Sequence, residues 1–362
     1  MNDVIKIIFC GDTALKTYVN NINPFSNMKK VFNDYDIIFM NLESVIAENI
    51  DVNTKLVKDV CLCEKPDKLQ YIASLGHEKT IKIVNIANNH ILDYGISAAE
   101  ETAMNLKAFG INCIGIKNNN NIIVTVKDIT ICFLAFYNRY KIFEKNSDYV
   151  VDENEVIENI KNYRSKVDFI VVSAHWGTEH VLFANPTQQK LARCFVDYGA
   201  DLVIGHHPHC IQGHEIYKNK NIYYSLGNFN FWGFDRPTMK MNQKGIAVSV
   251  SISTEIICKV LPIHINDLYV PDIERSMDTI NKLNEISLYL IPKISIIGFF
   301  RRAAKIHLQG AFARRFGLVK RDKTGVFYFL AWLFAKPFNW GCYIALLLNL
   351  IGKDYSKLNE WE

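Results

Sequence analysis

The chain has 362 residues, and its 49% hydrophobic and 22% charged residues are the proportions of a globular protein, which excludes a disordered or fibrous chain. The formal net charge of +4 is unevenly distributed, because residues 291–325 hold nine Lys or Arg against one acid and the remainder is mildly acidic. The nine cysteines are an odd number without framework spacing, which excludes a disulfide scaffold and favours a reduced compartment.

Short apolar runs alternate with amphipathic segments over the first 205 residues. This alternation is typical of an α/β protein whose sheet is covered on both faces. In chain order, we predict strands at residues 4–10, 35–40, 80–87, 112–116, 121–126, 129–137, 167–174 and 201–205, and helices at residues 66–76, 97–110, 152–166 and 186–200. Further antiparallel strands are expected between residues 215 and 265, so the predicted α/β domain covers residues 1–270.

The pattern changes after Pro271, and we predict a second, helical unit over residues 271–362. A helix is expected at residues 272–290, followed by a region in which basic and apolar residues are interleaved. Its two final apolar runs are each about ten residues long, whereas a membrane span needs about 20. This composition favours an in-plane membrane contact through residues 285–350. The alternative is a helical subdomain that packs on the α/β domain.

The sequence also bears on location and on one class of partner. The first residues, MNDVIKIIFCGD, lack the basic start, long apolar stretch and cleavage site of a secretory signal peptide. The expectation is therefore a cytoplasmic protein, peripheral on the inner face of the membrane if the C-terminal unit binds lipid. Nucleic acid is not a favoured partner, because the basic residues alternate with long aliphatic stretches rather than with stacking aromatic residues.

Five of the predicted strands end in residues that can bind a metal ion. These residues are Asp12, then Asn41 and Glu43, then Asn88, Asn89 and His90, then His175, and finally His206, His207 and His209. Because ligands of an open α/β sheet bind beyond the carboxyl ends of its strands, we expect the five sets to meet at one rim. Asp, Glu, Asn and His side chains together suit zinc, manganese or iron.

Each of these residues has a structural alternative when it is taken alone. Asp12 follows a glycine and could be a turn residue, Glu43 could cap a helix, and a lone His175 is more often structural than a ligand. The HHPH segment is the hardest to explain in this way, since His207 and His209 on an extended backbone would point to the same side. A centre for one or two divalent ions is therefore the interpretation that the sequence favours.

The sequence resembles the CapA family of capsule or poly-γ-glutamate synthesis proteins, within the metallophosphoesterase (calcineurin-like) superfamily. The resemblance rests on the segments GDT (11–13), NLE (41–43), ANNHILDYG (87–95), HWGTEH (175–180) and residues 199–231, which occur in this order. It implies a four-layer α-β-β-α sandwich with two mixed sheets inside. It does not extend to the C-terminal unit.

The resemblance also implies a role for each motif residue. Asp12 and His209 would bind a first ion, Asn89, His175 and His207 would bind a second, and Glu43 would bridge the two. His90 would protonate the leaving oxygen, and the residues that orient ligands or contact substrate would be Asn41, Asp93, Glu179, Glu215 and Asn228. Ala14 stands where phosphoesterases of the superfamily carry a histidine ligand, so the first ion lacks one donor, which His214 or Glu215 could replace.

The expected function is that of a metal-dependent hydrolase of phosphoester-type bonds in the synthesis of capsule, poly-γ-glutamate or another cell-surface polymer. Its expected partners are a phosphoester or polyanionic polymer substrate and the subunits of a polymer synthase. The alternative is a non-catalytic, membrane-associated accessory subunit of a polymer synthesis complex. Metal content separates the two, because only the hydrolase requires a filled centre.

Overall fold

The computed structural model describes residues 4–17, 22–48, 50–51, 55, 60–117, 119–138, 152–231, 240–253, 255–288 and 290. The predicted C-terminal unit from residue 291 onward, with almost all of the expected membrane contact, lies outside these ranges, so both stay predictions. Within the ranges, no helix combines the length and the apolar character that crossing a bilayer demands.

The described residues form sixteen strands and six α-helices. The strands are β1 (Ile5–Thr13), β2 (Ile37–Leu42), β3 (Val45–Ile46), β4 (Cys63–Glu64), β5 (Ile81–Asn85), β6 (Asn112–Ile114), β7 (Asn121–Val126), β8 (Ile129–Tyr137), β9 (Phe169–His175), β10 (Leu202–His206), β11 (His214–Tyr217), β12 (Lys220–Tyr223), β13 (Asn228–Asn230), β14 (Lys244–Ile252), β15 (Ile256–Ile265) and β16 (Pro271–Ile273). The helices are α1 (Lys29–Phe32), α2 (Gln70–Ala73), α3 (Gly95–Ala108), α4 (Glu153–Arg164), α5 (Pro186–Tyr198) and α6 (Asp278–Ser287). Every strand and helix predicted from the apolar runs has a counterpart among them.

Two mixed sheets contain most of these strands. Sheet 1 has the order β16-β15-β14-β1-β2-β5-β6, and β13 also pairs with β1. Its strands β1, β2, β5 and β6 are parallel, while β14, β15 and β16 add antiparallel pairs. Sheet 2 has the order β11-β12-β10-β9-β8-β7, in which β8, β9, β10 and β12 are parallel and the edge strands are antiparallel. The prediction of an α/β protein with mixed sheets is confirmed.

Aromatic side chains join the facing surfaces of the two sheets. The ring of Phe133 on β8 lies 5.5 Å from that of Phe39 on β2 and 6.3 Å from that of Phe9 on β1. Such pairs contribute about 0.5–1.5 kcal/mol each beyond the burial of their area. Side chains alternate along a strand, so Phe169 on β9 joins this inner core while Ile170 packs on the opposite face beneath α4.

Helices α4 and α5 cover the outer face of sheet 2. The start of α5 is defined by a capping box, in which Asn185 accepts from the backbone of Gln188 and the Gln188 side chain accepts from the backbone of Asn185. Pro186 occupies the first turn, where its missing N–H is no loss. The helix buries Leu191 and Phe195 against the sheet. This cap fixes the loop that leads from β9 into α5.

The fold continues across the predicted domain boundary near residue 270. Strand β16 pairs with β15, and α6 buries Leu283 and Ile286 in the main core. The boundary itself stays a prediction, because most of the C-terminal unit lies outside the described residues.

The carboxyl ends of the parallel strands carry polar residues at one rim of the molecule. In sheet 1, Asp12 lies beside Asn41 across β1 and β2, and Asn41 lies beside Asn85 across β2 and β5. In sheet 2, His175 pairs with His206 across β9 and β10. Because the sheets face each other, both rows of polar residues reach the same end of the inner layer.

Candidate metal centre

Two groups of side chains that share Glu43 lie at this rim. One group consists of Asp12, Glu43 and His209, and the other of Glu43, His175 and His207. In each group, one potential ligand atom from every residue lies within 4.8 Å of the others. The structure thus brings five of the six predicted ligands into two overlapping sets, each of which could hold a metal ion.

The distances within these groups fit metal ligands better than hydrogen bonds. His175 Nε2 lies 3.5 Å from Glu43 Oε1, and His209 Nε2, the ring nitrogen that does not face Asn228, lies 3.9 Å from the same oxygen. A charge-assisted hydrogen bond would bring such atoms to about 2.7–2.9 Å. Two ligands that are each about 2.1 Å from one ion, at a tetrahedral angle, are about 3.4 Å apart. Both the donor types and their spacing therefore fit a divalent ion.

Asn89, the sixth predicted ligand, joins the second group through its amide oxygen. Asn89 Oδ1 lies 2.7 Å from His175 Nε2, the nitrogen that also faces Glu43. The loop after β5 therefore places a neutral oxygen donor beside an imidazole and a carboxylate. Such a mixture of donors is compatible with several divalent ions.

The Asp12 side of the centre pairs a carboxylate with a protonated imidazole before any ion binds. Burial alone would raise the pKa of Asp12, but His206 and His209 beside its oxygens hold that pKa well below its usual range. Burial alone would lower the pKa of His209, but the negative charges of Glu43 and Asp12 outweigh it and raise that pKa to about 10. An ion that binds to His209 must therefore displace a proton.

The other side of the centre holds neutral imidazoles. Burial lowers the pKa of His175 well below its usual range, and the adjacent imidazole of His207 lowers it further. Burial likewise lowers the pKa of His207 to about 4. Both side chains are neutral at pH 7, which is the form in which histidine binds metal ions.

The HHPH segment reaches both groups through a left-handed backbone, and the extended backbone predicted from the sequence is wrong. The φ angle is 97° at His207 and 56° at His209, values that residues with a side chain seldom adopt. His207 N donates to Asp12 Oδ2 at 3.2 Å, which ties the segment to β1. Backbone strain of this kind costs about 1–3 kcal/mol per residue and is concentrated at functional sites.

Strand β1 carries Asp12 into the centre because residue 11 is a glycine. A Cβ at Gly11 would lie 2.0 Å from the carbonyl oxygen of Gly227. The close approach lets Asp12 N donate to Gly227 O at 3.0 Å. The next residue, Asn228, then places its Oδ1 2.9 Å from His209 Nδ1. A single glycine thus aligns Asp12 with the amide that orients His209.

His90 and Asp93 form a buried pair beside Glu43. His90 Nδ1 donates to Asp93 Oδ2 at 2.7 Å, and Leu62 N donates to the same oxygen at 2.7 Å. His90 N donates to Asn88 Oδ1 at 3.0 Å, which fixes the backbone of the turn. The second ring nitrogen, His90 Nε2, lies 3.9 Å from Glu43 Oε1. The imidazole is therefore held with Nε2 directed toward the metal-ligand groups.

Two more of the residues predicted to support the centre lie next to it. Asn41 Nδ2 donates to Asp12 Oδ1 at 2.9 Å and lies 3.4 Å from His175 Nδ1, so this amide spans the two groups. Glu179 is half-buried, and its negative charge acts against the lowering of the pKa of His207 by burial. Glu179 therefore borders the centre on the side of the HHPH segment.

Glu215 and His214 do not join the centre, contrary to expectation. Both belong to β11 at the edge of sheet 2, where His214 bonds across to β12. Glu215 accepts hydrogen bonds from Arg193 at 2.9 and 2.6 Å and from the Tyr224 hydroxyl at 2.7 Å. Their side chains make hydrogen bonds at the edge of sheet 2. Neither therefore supplies the donor that is missing because residue 14 is alanine.

Ala14 and its neighbours form an apolar wall instead of a ligand position. Ala14 packs with Leu62 and Phe231 in a small buried cluster. The ring of Phe231 lies 4.3 Å from the ring of His209. This wall contacts the His209 imidazole and restricts its orientation.

The sequence analysis counted His206 among the residues able to bind a metal ion but did not assign it as a ligand, and the structure places it fully buried beside Asp12. His206 Nδ1 lies 3.5 Å from Asp12 Oδ1. The signal that could have found it is the alternation along β10, because Leu202, Ile204 and His206 are two residues apart and face the same side.

Two facing mixed sheets with buried Asp, Glu, Asn and His side chains at their shared rim define an α/β protein with a candidate two-ion centre. Within that class, the chain belongs to the bacterial capsule synthesis protein family PGA_cap, whose model matches residues 6–232. This match confirms the family expected from the motifs, and it ends close to the last strand of the rim, β13.

Two proteins of similar sequence have names that agree with the family. The matched residues make up only part of each of them. The capsule biosynthesis protein CapA of Bacillus anthracis is 28% identical over 254 residues, which are 64% of this chain and 60% of that protein. The PGA biosynthesis protein CapA of Bacillus subtilis (strain 168) is 28% identical over 244 residues, 64% of each chain. The chain thus spans less than two thirds of either relative. A phosphatase from Mycoplasma pneumoniae, 13% identical with a TM-score of 0.46, aligns over 76% of this chain and 96% of its own.

Proposed function

We propose that this protein is a metal-dependent hydrolase that cleaves a phosphoester-type bond during the synthesis of capsule, poly-γ-glutamate or another cell-surface polymer. The observation that carries the proposal is the pair of buried ligand groups that share Glu43. Carboxylate, amide and imidazole donors together suit one or two ions of manganese, zinc or iron. Bound ions would polarise a phosphoryl oxygen and lower the pKa of a coordinated water.

The residues of the chain divide the work of binding and orientation. Asp12 and His209 form one side of the centre, His175 and His207 form the other, and Glu43 faces both. Burial of these groups keeps bulk water away, and an electrostatic interaction is stronger in such a medium than in water. The site is thereby arranged for an anionic substrate that reaches it from the rim.

His90 is placed to act as the general acid. Its Nδ1 donates to Asp93 at 2.7 Å, so the ring keeps a fixed tautomer and a carboxylate stabilises its protonated form. A proton held at His90 Nε2 then faces the metal-ligand groups, where the leaving oxygen of the substrate would develop charge. Transfer of that proton contributes about 10²–10⁴-fold to the rate of such reactions.

The test combines metal content with hydrolysis of bis(4-nitrophenyl) phosphate by protein purified without chelator. We expect one or two ions per chain, loss of turnover on chelation and recovery with manganese or zinc. His90→Asn should lower kcat by about 10²–10⁴-fold with unchanged metal content. The matched control is His77→Asn. His77 is exposed and lies before the first residue of β5, whereas His90 follows the last residue of that strand. Metal-loaded His90→Asn protein with undiminished turnover would contradict the role of His90.

A non-catalytic, membrane-associated accessory subunit is the second candidate. The observation that favours it is the excess of Lys and Arg among the apolar residues of 291–325. Such residues contribute about 1 kcal/mol each near an anionic surface. Replacement of Arg301, Arg302, Arg314 and Arg315 by Gln in the full chain should weaken binding to phosphatidylserine vesicles by about 10²–10³-fold. Absence of binding of the parent chain to anionic vesicles would exclude the membrane contact, and equal binding to anionic and neutral vesicles would exclude its electrostatic part.

The proposed substrate is a phosphoester or polyanionic polymer, and a polymer synthase is the proposed protein partner. Both follow from the family and from the anion-binding character of a divalent metal centre. No described residue bears on the compartment, so the cytoplasmic location stays a prediction.

A further inference from the structure

His206 is the one histidine of the HHPH segment that belongs to neither ligand group. It is the last residue of β10, and its side chain points into the layer between the sheets, on the same side as Leu202 and Ile204. Its neighbour across the sheet is His175, a member of the second ligand group. Strand β10 therefore places a further imidazole beside the second ligand group.

The polar atoms of this side chain are buried without the partners that burial requires. His206 is 0% exposed, and neither ring nitrogen has a hydrogen-bond partner among the described residues. Buried polar atoms are nearly always hydrogen-bonded, and an exception calls for an explanation such as an ion. Leu202 and Ile204 are apolar at equivalent positions of the same strand. A histidine here is therefore costly unless it has a specific role.

The position of Asp12 supplies that role. Each carboxylate oxygen of Asp12 faces one imidazole, Oδ2 facing His209 Nδ1 at 3.4 Å and Oδ1 facing His206 Nδ1 at 3.5 Å. The separation between His206 Nδ1 and Asp12 Oδ1 is longer than a charge-assisted hydrogen bond and matches two ligands on one ion at about 3.4 Å. His206 differs from His209 in one respect, because His209 Nδ1 also lies 2.9 Å from Asn228 Oδ1 whereas His206 Nδ1 has no hydrogen-bond partner among the described residues.

We propose that His206 is a further metal ligand, which binds the ion on the Asp12 side of the centre through Nδ1. This inference rests on the metal centre of the proposed function. It gives the Asp12 side two imidazole donors, equal in number to those that His175 and His207 supply to the other side. The two sides then differ in their oxygen donors rather than in their count of nitrogens.

The test uses Co²⁺-loaded full-length protein, because the visible bands of Co²⁺ report the number and type of its ligands. We compare the wild type with His206→Gln and with the control His214→Gln, whose imidazole bonds to Asn221 at the sheet edge. We expect His206→Gln to lower the affinity for one of the bound Co²⁺ ions by at least about tenfold and to change the visible spectrum of that ion. The ion held by Glu43, His175 and His207 should remain, and the control should match the wild type.

Two outcomes separate this inference from the proposed function. Wild-type affinity and an unchanged spectrum in His206→Gln would overturn the inference and leave His206 as a neighbour of Asp12 that does not bind the ion. A wild type that binds no ion would overturn the metal centre itself. Thermal unfolding of the metal-free proteins checks that the variants fold. His206→Cys replaces His206→Gln if the latter does not fold, and it should add a Co²⁺–thiolate charge-transfer band, whose absence counts against ligation.

Discussion

Three histidines of the centre show how strongly the neighbours of a residue set its charge. Burial acts on all of them and disfavours the protonated form. At His209 the carboxylates of Glu43 and Asp12 outweigh burial and raise the pKa to about 10. At His207 burial prevails and the pKa falls to about 4. One side of the centre therefore exchanges a proton for an ion, whereas the other side is ready to bind at neutral pH.

Metal binding should accordingly release about one proton per chain at pH 7.5, and the proton should come from His209. The reason is that His209, with a pKa of about 10, is the ligand that must lose a proton, while His207, with a pKa of about 4, is already neutral. Calorimetric titration with manganese in buffers of different ionisation enthalpy measures the number of protons.

The control for this titration is His209→Gln, in which proton release should fall close to zero. A wild-type value near zero at pH 7.5 would show that His209 is neutral before the ion arrives. A variant that still releases a full proton would assign the release to another group, such as a coordinated water.

At the scale of strands and loops, the site depends on a close approach between β1 and the segment before β13. Gly11 permits this approach, since a Cβ there would lie 2.0 Å from Gly227 O. Asp12 follows Gly11 and is a candidate ligand, and Asn228 follows Gly227 and contacts His209. The position of the ligands is therefore coupled to the packing of backbone on backbone.

Gly11→Ala should destabilise the fold by about 1–3 kcal/mol and weaken metal binding at the same time, because the added methyl group separates β1 from residue 227. Chemical denaturation of the metal-free protein and metal titration measure the two effects. The comparison is Gly110→Ala, where a Cβ meets nothing within 4 Å but φ is +70°. That control should lose stability through its backbone alone and keep its metal affinity.

The strands were predictable from the sequence because they are buried on both faces and lack alternation, as in IKIIFC of β1 and FIVV of β9. The location of their polar ends was also predictable, because the carboxyl ends of parallel strands bring Asp12 and His175 to one rim. The path of HHPH was not, because the φ of 97° at His207 depends on a hydrogen bond to Asp12, 195 residues away. Strand β13 has three residues and is defined by its pairing with β1, which a local pattern does not contain.

At the scale of the whole molecule, the candidate centre lies across the interface between the two sheets. Asp12 and Glu43 come from the sheet 1 side, and His175, His207 and His209 come from the sheet 2 side. An ion bound to both would hold the sheets together in addition to the aromatic core. Ligand at 100 times its Kd stabilises a folded protein by about 2.7 kcal/mol.

The stability of the metal-free protein should fall between about pH 6.5 and pH 4. The folded pKa of His207 is depressed to about 4, so in this window the unfolded chain binds more protons than the folded one, and acid favours unfolding. His207 alone accounts for about 3 kcal/mol, and His175 acts in the same direction. His209 adds a slope of opposite sign near pH 6.5, where the unfolded side chain takes up its proton, and none below about pH 5.5, where it is protonated in both states.

Urea denaturation at pH 7, 6, 5 and 4 in the presence of chelator measures this slope. His207→Gln should make this slope shallower, with the remainder due to His175, while His77→Gln, at an exposed position, should leave it unchanged. A metal-free protein whose unfolding free energy is constant across the window would contradict the depressed pKa of His207.

The strand order of sheet 1 also sets the time at which the protein can be finished. Strand β1 lies between β2 and β14, so the strand made first needs a partner that is made more than 200 residues later. At about 5–20 residues per second, translation leaves one edge of an apolar strand open for about 10–50 s. Nascent chains with such an edge are candidates for chaperone binding. The candidate ligands run from Asp12 to His209, so the full ligand set exists only after residue 209 has been made, and metal loading belongs to the later part of synthesis.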